Sequence, residues 1–296
     1  MNLLQVENVS KQFEGHCALE NISFNIKKGS IVGLIGHNGA GKTTLIRIIT
    51  QITAEDKGQI TLNGAQLGKQ HANMIGYLPE ERGLYKKMNV LEQLIYLGRL
   101  RGLSKNESTT RASKWLERLE ISKWENHILA DLSKGMQQKV QFIAAILHEP
   151  DFLILDEPFS GFDPVNADLL TKEILELNKS GMTILFSTHQ MESIEELCEH
   201  VVMINKSKCV FTGSVRDLKN QHSANLIEIE GIGSPPDLEF KSLEKSSSGY
   251  LATIEKSVNE SNLKFVNRHF SDYEIKSFKE KSPSMREIFL KIVNAE

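Results

Sequence analysis

Apolar and polar residues alternate from the start of the chain. LLQVENV and ALENISFNI keep that alternation and KKGS follows them as a turn, which predicts antiparallel strands over residues 1–30. SIVGLIG (30–36) is a continuous apolar run, the pattern of a fully buried strand, and it passes through a glycine-rich loop into the helical TTLIRIIT. QITLN (59–63) ends in Asn63-Gly64, a hairpin turn signal, and MIGYLP (74–79) reads as another short strand. The period then changes. NVLEQLIYLGRL and STTRASKWLERL carry helical apolar spacing with no strand between them, so residues from about 89 to 148 are expected to form a helical insert. A helix opened by LSKGM follows, then the strand FLILDEP, the helix NADLLTKEILELN, the strand MTILFST, the helix MESIEELCE and the strand HVVMIN. Strands alternating with helices predict an α/β fold with a mainly parallel sheet covered on both faces.

Near residue 220 the composition shifts. SPP (234–236) and SSS (246–248) are loop signals, NLIEIEG, GYLATIE and DYEIKSF read as strands, and SVNESNLKFV and SPSMREIFLKIV read as helices. Each of the two helices is preceded by an S-x-x-E capping box, Ser257/Glu260 and Ser284/Glu287. The expected division is a large domain over 1–219 and a small α+β domain over 220–296, of a size that can fold alone.

Composition narrows the function classes. With 35 Lys+Arg against 38 Asp+Glu the formal charge is −3, so the chain has no broad basic footprint and no nucleic-acid partner is expected. MNLLQVENVS has no basic region followed by an apolar core, and no apolar run approaches the ~20 residues of a membrane helix. The 3 cysteines, Cys17, Cys198 and Cys209, lack metal-binding spacing and read as free core thiols of a cytosolic chain. His16, His127, His148 and His200 likewise show no ligand-like spacing, so these histidines are not expected to form a metal site.

The chemistry begins at GHNGAGKT (36–43), which fits G-x-x-x-x-G-K-[ST] between a strand and a helix. Glycines let backbone N–H groups wrap phosphates without interference from a Cβ. Gly36, His37, Asn38, Gly39, Ala40, Gly41, Lys42, Thr43 and Thr44 are therefore the candidate phosphate cradle. Lys42 would reach the β- and γ-phosphates and the Thr43 hydroxyl would ligate Mg²⁺. His37 occupies a free position of the pattern and is assigned no catalysis. FLILDEP (152–158) delivers Asp156 to the C-terminal end of a buried strand, as a magnesium ligand directly or through water, with Glu157 beside it as general base for an attacking water. NKSG (178–181) and NKSK (205–208) lack the aspartate that would read guanine, which leaves ATP as the expected nucleotide.

LSKGMQQ holds a second, partial anion site at a helix start, where free N–H groups and the helix dipole favour negative charge. Placed between the helical insert and FLILDEP, it resembles the signature motif of ABC (ATP-binding cassette) ATPases. Further family elements fall in order: GYLPE (76–80) where the family has its Q-loop, SGFD (160–163) resembling the D-loop, STHQ (187–190) resembling the switch-histidine segment, and Phe13 in KQFEG matching the aromatic that stacks on adenine. The resemblance spans about residues 3–215. It implies a P-loop cassette with a mainly parallel core sheet, an antiparallel β subdomain and a helical insert, followed here by the small α+β domain.

It also implies that two cassettes, identical or not, bind head to tail with ATP between the phosphate loop of one and the signature of the other. Ser133, Gly135 and Met136 would then act on nucleotide held by the partner, and His189 would contact the γ-phosphate. Two positions depart from the family pattern. Lys134 stands where glycine is usual, and Glu80 stands where most members have glutamine; a carboxylate there can still ligate Mg²⁺. PEERGLY (79–85) and the ending PSMREIFLKIV (283–293) resemble the branch of bacterial cassettes that energise sodium extrusion and drug export. The expected function is thus ATP hydrolysis on the cytoplasmic face of the cell membrane, coupled to a separate polytopic permease, in an exporter. An importer subunit or a non-transport regulatory cassette remains the alternative.

Overall fold

The structure is a computed structural model that describes residues 1–296 apart from 82, 223–224, 258–259 and 295–296. The entry strands are β1 (Asn2–Phe13) and β2 (His16–Lys27), an antiparallel pair joined at Phe13↔His16. β3 (Ile31–Ile35) is buried at every position and leads into α1 (Lys42–Ile49). β4 (Lys57–Leu62) and β5 (Ala65–Gln66) form the hairpin at Asn63-Gly64, with Asn63 at φ +52° and Gly64 at φ +81°, the left-handed pair that a type I′ turn needs. β6 (Ile75–Leu78) precedes the insert, which contains α2 (Val90–Leu100) and α3 (Lys105–Arg118) and continues to α4 (Lys134–Ile146). The expected alternation follows: β7 (Phe152–Asp156), α5 (Pro164–Lys179), β8 (Thr183–Ser187), α6 (Met191–Leu197) and β9 (His200–Asn205). β10 (Lys208–Ser214), absent from the sequence reading, adds an antiparallel edge to β9.

Among the described residues, these strands make an antiparallel sheet ordered β2-β1-β4-β5 and a six-stranded sheet ordered β10-β9-β3-β8-β7-β6. In the second sheet β9, β3, β8, β7 and β6 run parallel. Leu4, Val6 and Ile60 of the first sheet, Leu45, Ile46 and Ile49 of α1, and Val32, Ile154 and Leu185 of the second are at most 3% exposed and belong to one core. Burying nine such side chains contributes on the order of 15–25 kcal/mol before chain entropy is charged against it. α1 is thereby fixed at the end of β3, which locks the loop between them.

The chain separates into two compact units, Met1–Ser214 and Val215–Glu296. α7 (Val215–Gln221), a helix not read from the sequence, opens the second unit and buries Val215 and Leu218. That unit continues with β11 (Leu226–Ile232), β12 (Ser242–Lys245), β13 (Gly249–Glu255), α8 (Asn262–Phe270), β14 (Ile275–Lys281) and α9 (Met285–Asn294). Its sheet is ordered β12-β13-β11-β14, and its core gathers Ile227, Ile229, Ile254, Phe265 and Phe270. The box at Ser284/Glu287 forms, with Glu287 N–H donating to Ser284 Oγ at 3.2 Å and Ser284 N–H to Glu287 Oε2 at 2.8 Å. The box expected at Ser257/Glu260 does not start a helix: α8 begins after Ser261, whose Oγ accepts from the N–H of Lys264 at 3.4 Å. Val258 and Asn259 of that expected helix lie outside the described residues. No helix among the described residues is long and apolar enough to cross a membrane.

Candidate functional site

The order β3-β8-β7-β6 sets the site. The four strands are parallel and in register, with Leu34 and Asp156 both opposite Ser187 and Leu78 opposite Leu155. Their C-terminal ends therefore open along one edge, where parallel α/β sheets present ligand-binding loops. Emerging side by side are the glycine loop after β3, Thr188-His189 after β8, Asp156-Glu157 at the end of β7, and Pro79-Glu80 after β6. They meet in a cleft of about 400 Å³. Asn38, Gly39, Gly41, Lys42, Thr43 and Thr44 line one wall, Glu80, Asp156, Glu157 and His189 another, and Phe13, His16 and Ala18 the mouth.

The loop is built for backbone approach. Gly41 sits at φ +113°, and a Cβ there would lie 2.5 Å from the Ala18 carbonyl oxygen, so only glycine fits. Lys42 is 7% exposed, and its Nζ donates to the carbonyls of Gly36 at 2.7 Å and His37 at 3.2 Å. Burial lowers its pKa, an effect opposed by the charges of Glu157, Asp156 and Glu80. Gly36, His37 and Ala40 are part of the loop without lining the cleft: the first two anchor Lys42 through their carbonyls, and Ala40 is 1% exposed, its N–H donating to His37 O at 3.1 Å. His37 Nδ1 is 2.7 Å from Asn38 O.

Opposite this cation lie the acids. Asp156 is 2% exposed, and its Oδ2 has no partner within the geometric limits of a hydrogen bond among the described residues. Burial pushes the Asp156 pKa up to about 6, the Ser187 hydroxyl and Lys42 oppose the rise, and the charges of Glu80 and Glu157 add to it. A buried carboxylate with an unused oxygen, beside a second carboxylate and a threonine hydroxyl, is an all-oxygen donor set suited to a hard divalent cation. Thr43, Asp156 and Glu80 thus fit Mg²⁺.

Glu157 occupies a left-handed backbone conformation, φ +50°, at a cost of roughly 1–2 kcal/mol for a residue other than glycine. Its N–H donates to Ser187 O at 2.9 Å, which stabilises the turn. The turned side chain receives the Thr188 hydroxyl on Oε2 at 3.2 Å and has His189 Nδ1 at 2.8 Å from Oε1. The Thr188 hydroxyl oxygen in turn accepts from the N–H of Gln190 at 3.0 Å. A carboxylate oriented by a hydroxyl and an imidazole, at the rim of a phosphate-shaped cleft, is placed to take a proton from water.

Phe13 ends β1 at the mouth, 48% exposed, with Lys11 Nζ 5.4 Å from its ring centroid. An exposed aromatic face beside a phosphate loop can stack on a base. His16, read from the sequence as unremarkable, lines the same mouth because the hairpin register sets it opposite Phe13.

The signature residues do not line this cleft. Ser133 is exposed and caps its own helix, its Oγ accepting from the Met136 N–H at 3.3 Å, an interaction typically contributing about 1 kcal/mol. The hydroxyl proton stays available to an anion. Gly135 has a reason within the chain as well: a Cβ there would lie 3.1 Å from Cδ1 of Phe162. Phe162 belongs to the SGFD segment, whose Asp163 caps α5 by accepting from the Asn166 N–H at 3.0 Å. α4 also holds the loops of the cleft from behind, through Gln138 and Gln141, which the sequence reading did not single out.

A phosphate loop after the first parallel strand, with an acid pair at the end of a parallel strand one further along the sheet than its neighbour β8, defines a P-loop nucleoside triphosphatase. Comparison with known proteins narrows this. The ABC transporter family matches residues 19–160, and the family described as the ATP-binding protein DrrA1-3-like C-terminal domain matches residues 213–293. The ABC transporter ATP-binding protein YhaQ of Bacillus subtilis is 40% identical over 302 residues, covering 99% of both chains. The linearmycin resistance ATP-binding protein LnrL of the same organism is 35% identical over 73% of this chain and 70% of its own. A solved structure of the ATP-binding subunit of an ABC transporter superposes with a TM-score of 0.69 at 32% identity, covering 74% of this chain and 92% of that one. The chain belongs to the ABC transporter ATP-binding proteins.

Proposed function

We propose that this chain is the ATP-hydrolysing subunit of an ABC exporter. ATP binds with adenine on Phe13 and its phosphates on residues 36–44, neutralised by Lys42. Thr43, Asp156 and Glu80 would hold Mg²⁺, which would supply positive charge to offset that of the phosphates. Glu157 accepts the proton of the attacking water, and His189, hydrogen-bonded to that carboxylate, holds it in orientation and reaches the γ-phosphate. A second cassette, identical or homologous, brings its Ser133, Gly135 and Met136 onto the same nucleotide, so ATP joins the two chains and hydrolysis releases them. Excluding water at that interface strengthens every charge interaction in it. The dimer works on a separate polytopic permease at the cytoplasmic face of the cell membrane, without nucleic acid. The C-terminal unit stabilises or regulates the dimer.

The observation that carries this reading is the Glu157 carboxylate, held by Thr188 and His189 within the cleft that Lys42 and Asp156 line. The similarity to a resistance protein and to a DrrA1-3-like C-terminal domain supports export. Glu157→Gln tests the chemistry. Hydrolysis is expected to fall by about 10²-fold or more, ATP still binds, and an ATP-dependent dimer accumulates in light scattering. Unchanged turnover would remove Glu157 from the mechanism.

A further inference from the structure

The inward face of α4 carries amides where aliphatic side chains would be expected. Gln138 and Gln141 are 1% and 4% exposed, and three positions apart they share one face of the helix. Gln138 Nε2 donates at 3.2 Å to the carbonyl of Pro158, the residue after Glu157. Gln141 Nε2 donates to the carbonyls of Pro79 at 2.9 Å and Glu81 at 3.2 Å, one on each side of Glu80. Both protons of a single amide are used on residues 79 and 81, while Gln141 Oε1 has no partner among the described residues. Burying an amide is unfavourable unless its hydrogen bonds are made, so the donor end is what this side chain contributes.

The Pro79 carbonyl lies in the peptide plane that precedes Glu80 and the Glu81 carbonyl in the plane after residue 81, so the two bonds pin the chain on either side of Glu80 and restrict the directions its Cα–Cβ bond can take. Further along the segment, Gln93 of α2, fully buried, accepts the N–H of Tyr85. The segment is thus held at 79, 81 and 85, and Glu80, exposed and lining the cleft, is the acid it presents.

We propose that Gln141 is a positioning residue that aims the Glu80 carboxylate into the nucleotide cleft and thereby sets how tightly the divalent cation is held beside ATP. This rests on Glu80 being a cation ligand. Gln141 does not line the cleft; it acts through the loop. Because the same helix begins at Ser133, the residue that orients a ligand of one nucleotide and the residues offered to the nucleotide opposite lie on one rigid element.

The test replaces Gln141 with Met, which keeps length and volume and removes both donors. In a Glu157→Gln background, which prevents turnover, calorimetric ATP titrations are run with Mg²⁺ and with EDTA. Amide hydrogen exchange over residues 79–86 and the thermal unfolding midpoint are recorded on the same proteins. Gln141→Met is expected to weaken Mg²⁺-dependent ATP binding by about tenfold, the scale of a lost group behind a metal ligand, with binding in EDTA unchanged and exchange over 79–86 faster. In a Glu80→Ala background the same substitution should produce no further loss, since the residue it aims is gone. Gln141→Glu, equal in size but without donors, serves the same comparison if the Met variant does not fold. Wild-type Mg²⁺ dependence in the Gln141 variants overturns the proposal, as does an equal loss with and without Glu80, which would mark a merely structural amide. If Glu80→Ala with Gln141 intact leaves Mg²⁺ dependence unchanged, the ligand reading of Glu80 itself fails and this inference falls with it.

Discussion

Nδ1 of His189 lies 2.8 Å from Oε1 of Glu157, the two side chains emerging from the ends of adjacent parallel strands. The imidazole is therefore hydrogen-bonded to the carboxylate proposed as general base. We expect His189→Ala to lower ATP turnover by about 10²-fold while leaving ATP affinity within a factor of a few. Because the pair acts as one unit, Glu157→Gln combined with His189→Ala should be no slower than Glu157→Gln alone. Single-turnover phosphate release measures both, and multiplying losses would show that the residues act independently.

Two glycines of the phosphate loop should fail in different ways. At Gly41, φ +113°, an added Cβ meets the Ala18 backbone at 2.5 Å, so Gly41→Ala is a folding defect. We expect it to lower stability by roughly 2 kcal/mol or more. At Gly39, φ +80°, which lines the cleft, an added Cβ meets nothing within 4 Å. Gly39→Ala should cost about 1 kcal/mol of stability yet weaken ATP binding by more than tenfold, because the methyl occupies phosphate space. Chemical denaturation and fluorescent-nucleotide titration separate the two effects.

His148 predicts acid sensitivity. Burial pushes its pKa down to about 4, with Arg101 and Arg111 adding and the Ile75 carbonyl, 3.3 Å from Nε2, opposing. The unfolded state takes up a proton near pH 6.5 and the folded state only near 4. Stability from the neutral ring is therefore full above pH 6.5 and is lost as pH falls through that window. The loss should approach about 2–3 kcal/mol by pH 4. His148→Gln, which cannot charge, should flatten that part of the stability profile in urea titrations at pH 7, 5.5 and 4.5. An unchanged slope would assign the acid sensitivity to other groups.

Residues 215–296 contain none of the groups lining the cleft. A chain ending at Ser214 should fold and bind ATP with an affinity within about threefold of the full protein, while ATP-dependent dimerisation weakens if the second unit supports it. Equilibrium dialysis and sedentation of the truncated chain by analytical ultracentrifugation test both. Loss of nucleotide binding in a folded truncation would give the second unit a role at the site.

The sequence alone determined whatever depends on neighbours along the chain. Spacing located the phosphate loop, continuous apolar runs located β3 and β7, Asn63-Gly64 located a hairpin, and Ser284/Glu287 and Ser133 located helix starts, because turns, caps and periodicity are settled within a few residues. The roles proposed for Phe13 and His189 rest on family resemblance, since a lone aromatic or histidine carries no local signature. Tertiary structure decided the rest. β10 and β12 are edge strands with mostly half-exposed or exposed residues, so neither shows the apolar pattern that betrays a buried strand. The helix expected from Ser257 is capped by Ser261 instead, a choice between two serines a turn apart that the local pattern did not settle. The left-handed turn at Glu157 and the grip of Gln141 on Pro79 and Glu81 depend on strand order and on which helix crosses behind the cleft. Glu80, Asp156 and His189 are distant in the chain and share a cleft because parallel strands in register end at one edge, a relation that arises only when the sheet assembles.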